Sequence, residues 1–351
     1  MHVLWTTLLG LAAGGEGAPL EEDWLTLDHE IERLADAART DTAGPRVGGV
    51  FKFNYANSDE LVPPGSTNEL GGFSFDNLRL SVEGVAGDWE YLVQYEAAVG
   101  GNASTPINID AWVRTQVSEH VRVAVGNQLR AFLGSSLVEP ENLLFILRTP
   151  SGQFWHSRDL AVKLDGAYEN GLAWAASFEN GADGAGDQVA YSARLAYHAL
   201  GGGAAEVEGA LGAGDATRLT VAAGYHDDQN ALEDGDVLAL EAWGSHGPFW
   251  LGAECLDYAD DGGGGSGIYS VLSDTSPFAV AASYMFVPDK YEAALRYQDL
   301  DDGIGTEAFT IGVNRYELGR DVMWQVNYVE VHADSPGIDT RTFAVGLTIH
   351  I

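Results

Sequence analysis

The chain has 351 residues, a length that holds either two ordinary domains or one large β-domain. Its 18 Lys and Arg residues against 52 Asp and Glu residues leave a formal net charge of -34, which argues against binding nucleic acid through its phosphates. The single cysteine, Cys255, can form neither an internal disulfide nor a Cys-rich zinc site.

The first 45 residues are predicted to form two segments outside the main domain. The apolar run VLWTTLLGLAA is too short to cross a bilayer as a helix and is followed by small residues, which predicts a secretory signal over residues 1–18. Over residues 19–45 apolar side chains recur at steps of three and four, which predicts a periplasmic amphipathic helix. This helix either offers a coiled-coil seam or stays a solvated acidic helix without a partner; its spaced apolar residues are Trp24, Leu27, Ile31, Leu34 and Ala38.

From residue 46 to the C-terminus the apolar residues alternate with period two, which indicates β-strands. Most segments are close to the ~9–11 residues that cross a bilayer at a tilt. They predict an all-β fold, a 16-stranded antiparallel transmembrane β-barrel over residues 46–351. The strands are predicted at roughly 47–56, 73–84, 88–97, 107–117, 119–127, 157–167, 171–179, 188–198, 217–226, 236–244, 248–258, 277–287, 289–299, 307–316, 321–332 and 341–351.

The connections between the predicted strands alternate in length. Most of those after even-numbered strands are short, and those after odd-numbered strands are longer and rich in Gly, Asp and Asn. A membrane barrel with short periplasmic turns and long extracellular loops has this arrangement. The segment 199–216, ALGGGAAEVEGALGAGDA, is long where a short turn belongs. It is either a periplasmic insertion or a region that hides a further strand.

The two faces of the predicted strands differ in polarity. In MWQVNYV, Trp324, Val326 and Tyr328 fall on one parity and Gln325 and Asn327 on the other. Charge is almost absent from the apolar parity, as a lipid-facing surface requires, because Arg or Lys at the bilayer midplane costs about 2–4 kcal/mol. The polar parity, including Gln325 and Asn327, is predicted to face a water-filled lumen. Periodicity alone leaves a soluble β-sandwich open.

Several stretches between residues 47 and 351 resemble the phosphate-selective porin O and P family. They are LRLSVEGVAGDWEYLVQYEAA, IDAWVRTQVSEHVRVAVGNQLRAF, SRDLAVKLDGAYENGLAWAASFENG, GPFWLGAECL, YEAALRYQDLDD and IGVNRYELGRDVMWQVNYVEV, in that order. The resemblance implies a 16-stranded outer-membrane barrel, commonly a homotrimer, whose third extracellular loop folds inward to narrow the pore. Here that loop would be residues 127–156. The chain departs from the family in ending at Ile351 instead of an aromatic residue, and in having only 18 basic residues.

Charged residues beside the third loop are the candidates for lining the narrowest part of the pore. If the loop folds inward, their cations would face the water column and favour anions. The alternative is that they form structural ion pairs across neighbouring strands and leave a weakly selective opening. The candidates are Arg114, Arg122, Arg130, Arg148, Lys163, Arg194, Glu96 and Asp110.

The sequence therefore predicts a porin in a Gram-negative outer membrane, which passes small hydrophilic solutes or ions and leaves an anion preference open. Its expected partners are outer-membrane lipid, the transported ions and copies of itself in a trimer. No cofactor, metal or enzymatic activity is expected, because the histidines are scattered and no HExxH, GxSxG or P-loop pattern occurs. The alternatives are a soluble or surface-attached β-sandwich binding module and a barrel that acts as an enzyme or anchor without an open pore.

Overall fold

The fold was analysed in a computed structural model that describes residues 44–62, 66–99, 102–181, 189–201, 207–214, 216–228, 235–259, 274–302, 304–334 and 339–351. The predicted secretory signal at 1–18 lies outside the described residues, and so does the predicted helix at 19–45 except for Gly44 and Pro45. Both stay predictions. Among the described residues, no helix is long and apolar enough to cross a membrane.

Sixteen strands follow one another along the described chain, which confirms the predicted number. They are β1 (Arg46–Val62), β2 (Ser66–Ala86), β3 (Trp89–Val99), β4 (Asn102–Ser118), β5 (Val121–Leu129), β6 (Arg158–Ala167), β7 (Leu172–Glu179), β8 (Ala190–Leu200), β9 (Arg218–Asp228), β10 (Gly235–His246), β11 (Phe249–Tyr258), β12 (Phe278–Val287), β13 (Tyr291–Asp299), β14 (Glu307–Tyr316), β15 (Val322–His332) and β16 (Asp339–His350). Between β5 and β6 lie α1 (Gly134–Leu137), a 3-10 turn (Pro140–Asn142) and α2 (Pro150–Trp155).

The strands form one closed antiparallel barrel in which each strand pairs with its neighbours in sequence. The barrel closes where β1 pairs with β16, from Val50 opposite His350 to Leu61 opposite Asp339. Closure leaves no sheet edge, so every strand has a hydrogen-bonding partner on both sides. This arrangement satisfies the backbone polar groups within lipid, where no water is present to bind them.

The two ends of the barrel carry different connections, as the sequence predicts. One end, here called the short-turn end, carries the tight turns at 87–88, 119–120, 168–171, 247–248, 288–290 and 317–321. Gly87 and Gly247 lie in two of these turns at positive φ (64° and 54°), a conformation that glycine adopts without the steric cost of a Cβ atom. The opposite end, the long-loop end, carries the connections after the odd-numbered strands; those after β1 and β3 are shorter than predicted, at 63–65 and 100–101, because the strands extend into the expected loops.

The barrel wall is apolar outside and polar inside, with the parity that the sequence predicts. On β15, Trp324, Val326 and Tyr328 are 43%, 39% and 38% exposed, whereas Gln325 and Asn327 are 0% and 3% exposed. Large apolar side chains are exposed in the same way on every strand around the barrel. An apolar surface of this extent requires a non-aqueous environment, because soluble monomers rarely expose contiguous apolar patches above a few hundred Å². The fold is therefore a transmembrane β-barrel.

Candidate functional site: the barrel lumen

The connection between β5 and β6, residues 130–157, lies inside the barrel and is called the inner loop here. Its boundaries correct the expected 127–156, because β5 continues to Leu129 and β6 begins at Arg158. The inner loop is rich in apolar side chains that would be exposed on the surface. Instead they are at most 1% exposed: Phe132, Leu133, Leu144, Phe145 and Trp155. Their burial supplies the hydrophobic free energy that keeps the loop in the lumen.

Two apolar clusters hold the inner loop against the wall. The first surrounds Trp155, whose indole nitrogen donates to the hydroxyl of Tyr258 at 3.0 Å and whose ring lies 4.5 Å from that of Phe132. It includes the inward side chains Val237, Ala239 and Leu256 of β10 and β11. The second surrounds Leu144 and Phe145 and includes Trp250, Met285, Ala294, Tyr316 and Met323, from β11 to β15.

The inward amide side chains of β14 and β15 bind the backbone of the inner loop. Asn314 donates to the carbonyl of Leu144 at 2.8 Å, and Gln325 donates to the same carbonyl at 3.1 Å. The amide nitrogen of Ile146 donates to Asn327 at 2.8 Å. Gln325 and Asn327 do point inward, but the expectation that they meet lumen water is wrong, because the loop backbone takes the place of water as their partner.

Charged side chains anchor the inner loop at further points of the wall. Arg79 of β2 forms an ion pair with Glu139 at 2.9 Å, and Arg296 of β13 donates to the carbonyl of Leu147 at 2.9 Å. Glu254 of β11 accepts from the hydroxyl of Thr149 at 2.6 Å. Because these anchors lie on well-separated strands, the loop crosses the lumen and leaves only part of its cross-section open.

Two glycines of the wall give the inner loop room to approach. A Cβ atom at Gly224 would lie 2.5 Å from the carbonyl oxygen of Phe132, and one at Gly346 would lie 3.0 Å from Ile146. Sequence reasoning missed both residues, because a glycine in a strand does not show what passes beside it. A run of inward glycines opposite an apolar loop is the signal that indicates such an approach.

Arg114 and Arg122, two of the predicted pore-lining residues, lie near the short-turn end of the lumen. Arg114 donates to Glu90 on β3 through Nε at 3.1 Å, and Arg122 donates to Asp165 on β6 through Nε at 2.8 Å. The side chains of Arg114 and Arg122 are 27% and 42% exposed. Both cations are therefore paired with carboxylates on neighbouring strands and remain open to water.

Four other predicted residues lie in buried ion pairs of the wall. Arg130 contacts Asp159 and Glu179 at 3.4 and 2.8 Å, and Arg194 contacts Glu241 at 3.2 Å. Asp110 contacts Arg158 at 3.1 Å, and Glu96 contacts Arg79 at 3.5 Å. Pairing of buried charges offsets the cost of removing them from water. The geometry of these residues agrees with the alternative that they form structural ion pairs. Their role in conduction stays a prediction.

Arg148 and Lys163 have no carboxylate partner within ion-pair distance in the described part of the chain. Arg148, on the inner loop, donates to the carbonyl of Ser135 at 2.9 Å and to Nε2 of His156 at 3.4 Å. Burial lowers the pKa of Arg148 to about 10, so the guanidinium keeps its charge at neutral pH. Lys163 donates to the carbonyl of Leu129 at 3.5 Å.

His156 receives the Arg148 hydrogen bond as a neutral ring. Burial, reinforced by the positive charges of Arg148 and Arg158, lowers the pKa of His156 to about 2. Its Nδ1 donates to the carbonyl of Ser136 at 2.5 Å, which leaves Nε2 free to accept. The fixed tautomer therefore holds the Arg148 guanidinium in place without adding a second charge.

An open space remains at the short-turn end beside β1, β2, β3 and β16. This cavity of about 440 Å³ is bordered by the inner loop. Burial, followed by the negative charge of Glu139, raises the pKa of Glu141 above its ordinary value. Both the wall and the inner loop contribute polar and charged side chains to this cavity, as suits a water-filled passage: Arg79, Ser81, Glu83, Gln94, Glu139 and Glu141.

No group of three or more His, Cys, Asp or Glu side chains among the described residues is arranged to hold a metal ion. The cavity beside β1 to β3 is bordered mainly by backbone, hydroxyl, amide and carboxylate groups together with two arginines. These groups suit water and ions in transit. They do not form the enclosed apolar pocket that is usual for an organic cofactor.

Comparisons with known proteins reveal similarity of fold. No protein-family model matches the chain, and no curated protein matches it by sequence. The structure is similar to a loop-deleted form of OmpT, an outer membrane protein of Vibrio cholerae, at 13% identity and a TM-score of 0.60, covering 89% of this chain and 100% of that one. It is similar to the anion-selective porin from Comamonas acidovorans at 14% identity and a TM-score of 0.57, covering 88% and 99% of the two chains.

A further similar structure is the outer membrane channel DcaP of Acinetobacter baumannii, at 13% identity and a TM-score of 0.57, covering 89% of this chain and 98% of that one. At these identities the likeness establishes the fold alone, which is that of outer-membrane porins. Because no family model matches, the resemblance to the phosphate-selective porin O and P family stays a prediction.

Proposed function

We propose that this protein is an outer-membrane porin that lets small hydrophilic solutes and ions diffuse passively. The observation that carries the proposal is a closed barrel with a lipid-compatible exterior and a lumen that an inner loop narrows without filling. The exposed apolar belt disfavours a soluble β-sandwich module, because that belt would have to be covered in water. Passive diffusion requires no covalent chemistry, so the proposal includes no enzymatic step.

We propose a modest anion preference on the basis of lumen cations that have no close carboxylate partner; the 440 Å³ cavity itself has Arg46 and Arg79 beside three glutamates. Arg114 and Arg122 each form a close pair with a carboxylate, and the field of such a pair falls off quickly with distance. Arg148 and Lys163 have no partner at ion-pair distance in the described chain, so their charges are cancelled less. Within a low-dielectric wall an uncompensated cation attracts anions more strongly than in bulk water.

Phosphate is the anion that the sequence resemblance implies. Guanidinium groups bind phosphate through two parallel hydrogen bonds; Arg79 borders the 440 Å³ cavity, and Arg148 lies buried in the inner loop. Both arginines already bind the inner loop, so few of their donors remain for a solute. We therefore place phosphate among the anions that pass and propose weaker discrimination than the family resemblance implies.

The proposed assembly is a homotrimer in the outer membrane, reached through the predicted secretory signal. Its support is the family resemblance. The outer face of β1 and β2 carries a stack of aromatic rings, with Phe53 and Phe73 centred 5.5 Å apart and Tyr55 and Phe73 centred 5.0 Å apart. Such a surface suits contact with lipid or with a second copy.

Planar bilayer recording of the purified full-length protein tests the proposal. A porin gives discrete conductance steps, in groups of three for a trimer, whereas a folded protein without any steps contradicts it. The reversal potential in a salt gradient then measures the preference between cations and anions. Added phosphate should reduce chloride current if both anions share the path, and an unchanged current would remove phosphate from the proposal.

The second candidate is a barrel without an open pore, which serves as an anchor. The observation that favours it is that the inner loop and residues 207–214 pack against the wall and occupy part of the lumen. The same recording separates the two candidates, because the anchor inserts into the bilayer without conductance steps. Uptake of small sugars into protein-containing vesicles gives an independent measure of the open cross-section.

A further inference from the structure

The connection between β8 and β9 differs from all other described connections at the short-turn end. The sequence leaves open whether residues 199–216 are an insertion or hide a strand; the described residues 207–214 contain no strand. Instead of forming a tight turn, residues 207–214 enter the lumen from the short-turn end. They contact the inner loop, which arrives from the long-loop end.

Glu208 binds the tip of the inner loop on both sides. Its backbone nitrogen donates to the carbonyl of Asn142 at 3.2 Å, and its carboxylate accepts from the backbone nitrogen of Leu144 at 2.9 Å. Its own carbonyl accepts from Arg320, in the turn between β14 and β15, at 2.6 Å. One residue therefore joins the inner loop to a turn on the other side of the lumen.

Ala210 contacts the barrel wall at the short-turn end. Its backbone nitrogen donates to Glu292 of β13 at 2.6 Å, and Glu292 also accepts from the hydroxyls of Ser283 and Tyr316. A Cβ atom at Gly209, where φ is +88°, would lie 3.0 Å from the same carboxylate. The segment thus approaches the wall as closely as its backbone permits.

Apolar side chains of residues 207–214 also pack beneath the inner loop. Ala210, 4% exposed, lies in the cluster that includes Phe145 and Met323, and Leu211 packs against it. Met323 is the second residue of β15, just after a short turn, and is 0% exposed. Inward side chains at the short-turn end of a lumen would contact water if nothing covered them. Residues 207–214 therefore shield the inward side chains of β11 to β15 from water.

We propose that residues 207–214 are a second constriction element, which fastens the tip of the inner loop and closes the short-turn end of the lumen beside β11 to β15. Solutes then pass along β16 and β1 to β6, where the 440 Å³ cavity and the partly exposed Arg114 and Arg122 lie. Glu208 is the positioning residue of this element. The inference rests on the proposed porin function and adds to it the part of the cross-section that conducts.

Deletion of residues 207–214 tests the proposal, because the remaining connection is still long enough to join the adjacent strands β8 and β9. The single-channel conductance should rise roughly twofold, since water would enter the half of the lumen that the segment now closes. Glu208→Ala should raise conductance less and increase open-channel noise, because the Leu144 nitrogen loses its acceptor. Glu208→Gln, whose amide oxygen can still accept, should remain close to the unmodified protein.

Glu317→Ala is the matched control, because Glu317 lies in the same short turn as Arg320 and its carboxylate pairs with Arg315 instead of residues 207–214. Its conductance should equal that of the unmodified protein. The proposal is overturned if the deletion variant folds, as shown by an unchanged β-sheet circular dichroism spectrum, and conducts no more than the full chain. It is also overturned if Glu317→Ala changes the conductance as much as Glu208→Ala does.

A thiol assay tests whether residues 207–214 cover β15 without requiring a conductance measurement. In a Cys255→Ser background, Met323→Cys should react slowly with a charged thiol reagent in the full chain and at least tenfold faster after deletion of 207–214. Equal rates would overturn the proposal. If the unmodified protein shows no conductance steps, the proposed function fails, and the thiol rates alone determine whether the segment covers β15.

Discussion

Individual cations in the lumen differ according to whether a carboxylate accompanies them. Arg122 and Asp165 face each other on β5 and β6, so together they contribute little net field. Arg148 is held by a backbone carbonyl and a neutral imidazole, and Glu139 and Glu208 compensate its charge only from beyond ion-pair distance. Pairing, more than the number of bases, therefore decides which residues set ion preference.

The first prediction compares these two arginines. Arg148→Gln should shift the reversal potential toward cations, because it removes a charge with no close partner. The double variant Arg122→Gln with Asp165→Asn should leave the reversal potential nearly unchanged, because it removes a neutral pair. Reversal potentials in a salt gradient measure both. A larger shift for the double variant than for Arg148→Gln would contradict the assignment.

The second prediction concerns pH and Glu141. Burial and the nearby Glu139 raise the pKa of Glu141, so the folded chain binds this proton at a higher pH than the unfolded chain does. As pH falls through the raised pKa, this group adds stability and the cavity loses a negative charge. The reversal potential should therefore move toward anions at a pH above the ordinary Glu value of about 4.3. Glu141→Gln should abolish this pH-dependent change in reversal potential and leave unchanged any change that occurs at lower pH.

At the scale of elements, the inner loop is fastened by apolar clusters at two places. Trp155 is 1% exposed and contacts Phe132 and Tyr258, and losing a buried Trp side chain typically costs about 3–5 kcal/mol. The barrel itself depends on its strand pairing and not on Trp155. The loop and the wall are therefore expected to differ in how they respond to a substitution there.

The third prediction is that Trp155→Ala loosens the inner loop and leaves the barrel closed. Amide hydrogen exchange should become faster over residues 130–157 and remain slow in β1 to β16. Open-channel noise should increase for the same reason. Trp324→Ala, on the lipid face of β15, is the control and should leave exchange in the inner loop unchanged. Faster exchange throughout the barrel would show that Trp155 supports the wall as well.

The sequence predicts the strands better than it predicts the contacts of the inner loop. Alternating polarity depends on neighbours two residues apart, so Trp324, Gln325 and Val326 reveal their faces without knowledge of the fold. The bond from Ile146 to Asn327 joins residues 181 apart, and nothing local to either residue specifies it. Strands β1, β2 and β4 are longer than predicted because pairing with neighbours extends them into segments of weak alternation.

The whole molecule depends on lipid for its stability as much as on its own contacts. Apolar side chains cover the exterior of every strand, and inward polar side chains such as Asn314 and Asn327 form hydrogen bonds with the inner loop. The same polarity reversed would give a soluble protein with a core. The position of a residue relative to the membrane midplane should therefore control what a charge costs there.

The fourth prediction compares two charges introduced on the lipid face of β15. Val326 is 39% exposed in the middle of the strand, so Val326→Arg should lower the free energy of unfolding in lipid vesicles by about 2–4 kcal/mol. His332 ends the same strand on the same face, and His332→Arg should cost at most about 1 kcal/mol, because the new charge reaches the headgroup region. Urea titrations monitored by tryptophan fluorescence measure both values. Equal losses at the two positions would show that this face meets protein or water instead of lipid, whereas a graded loss locates the bilayer along β15.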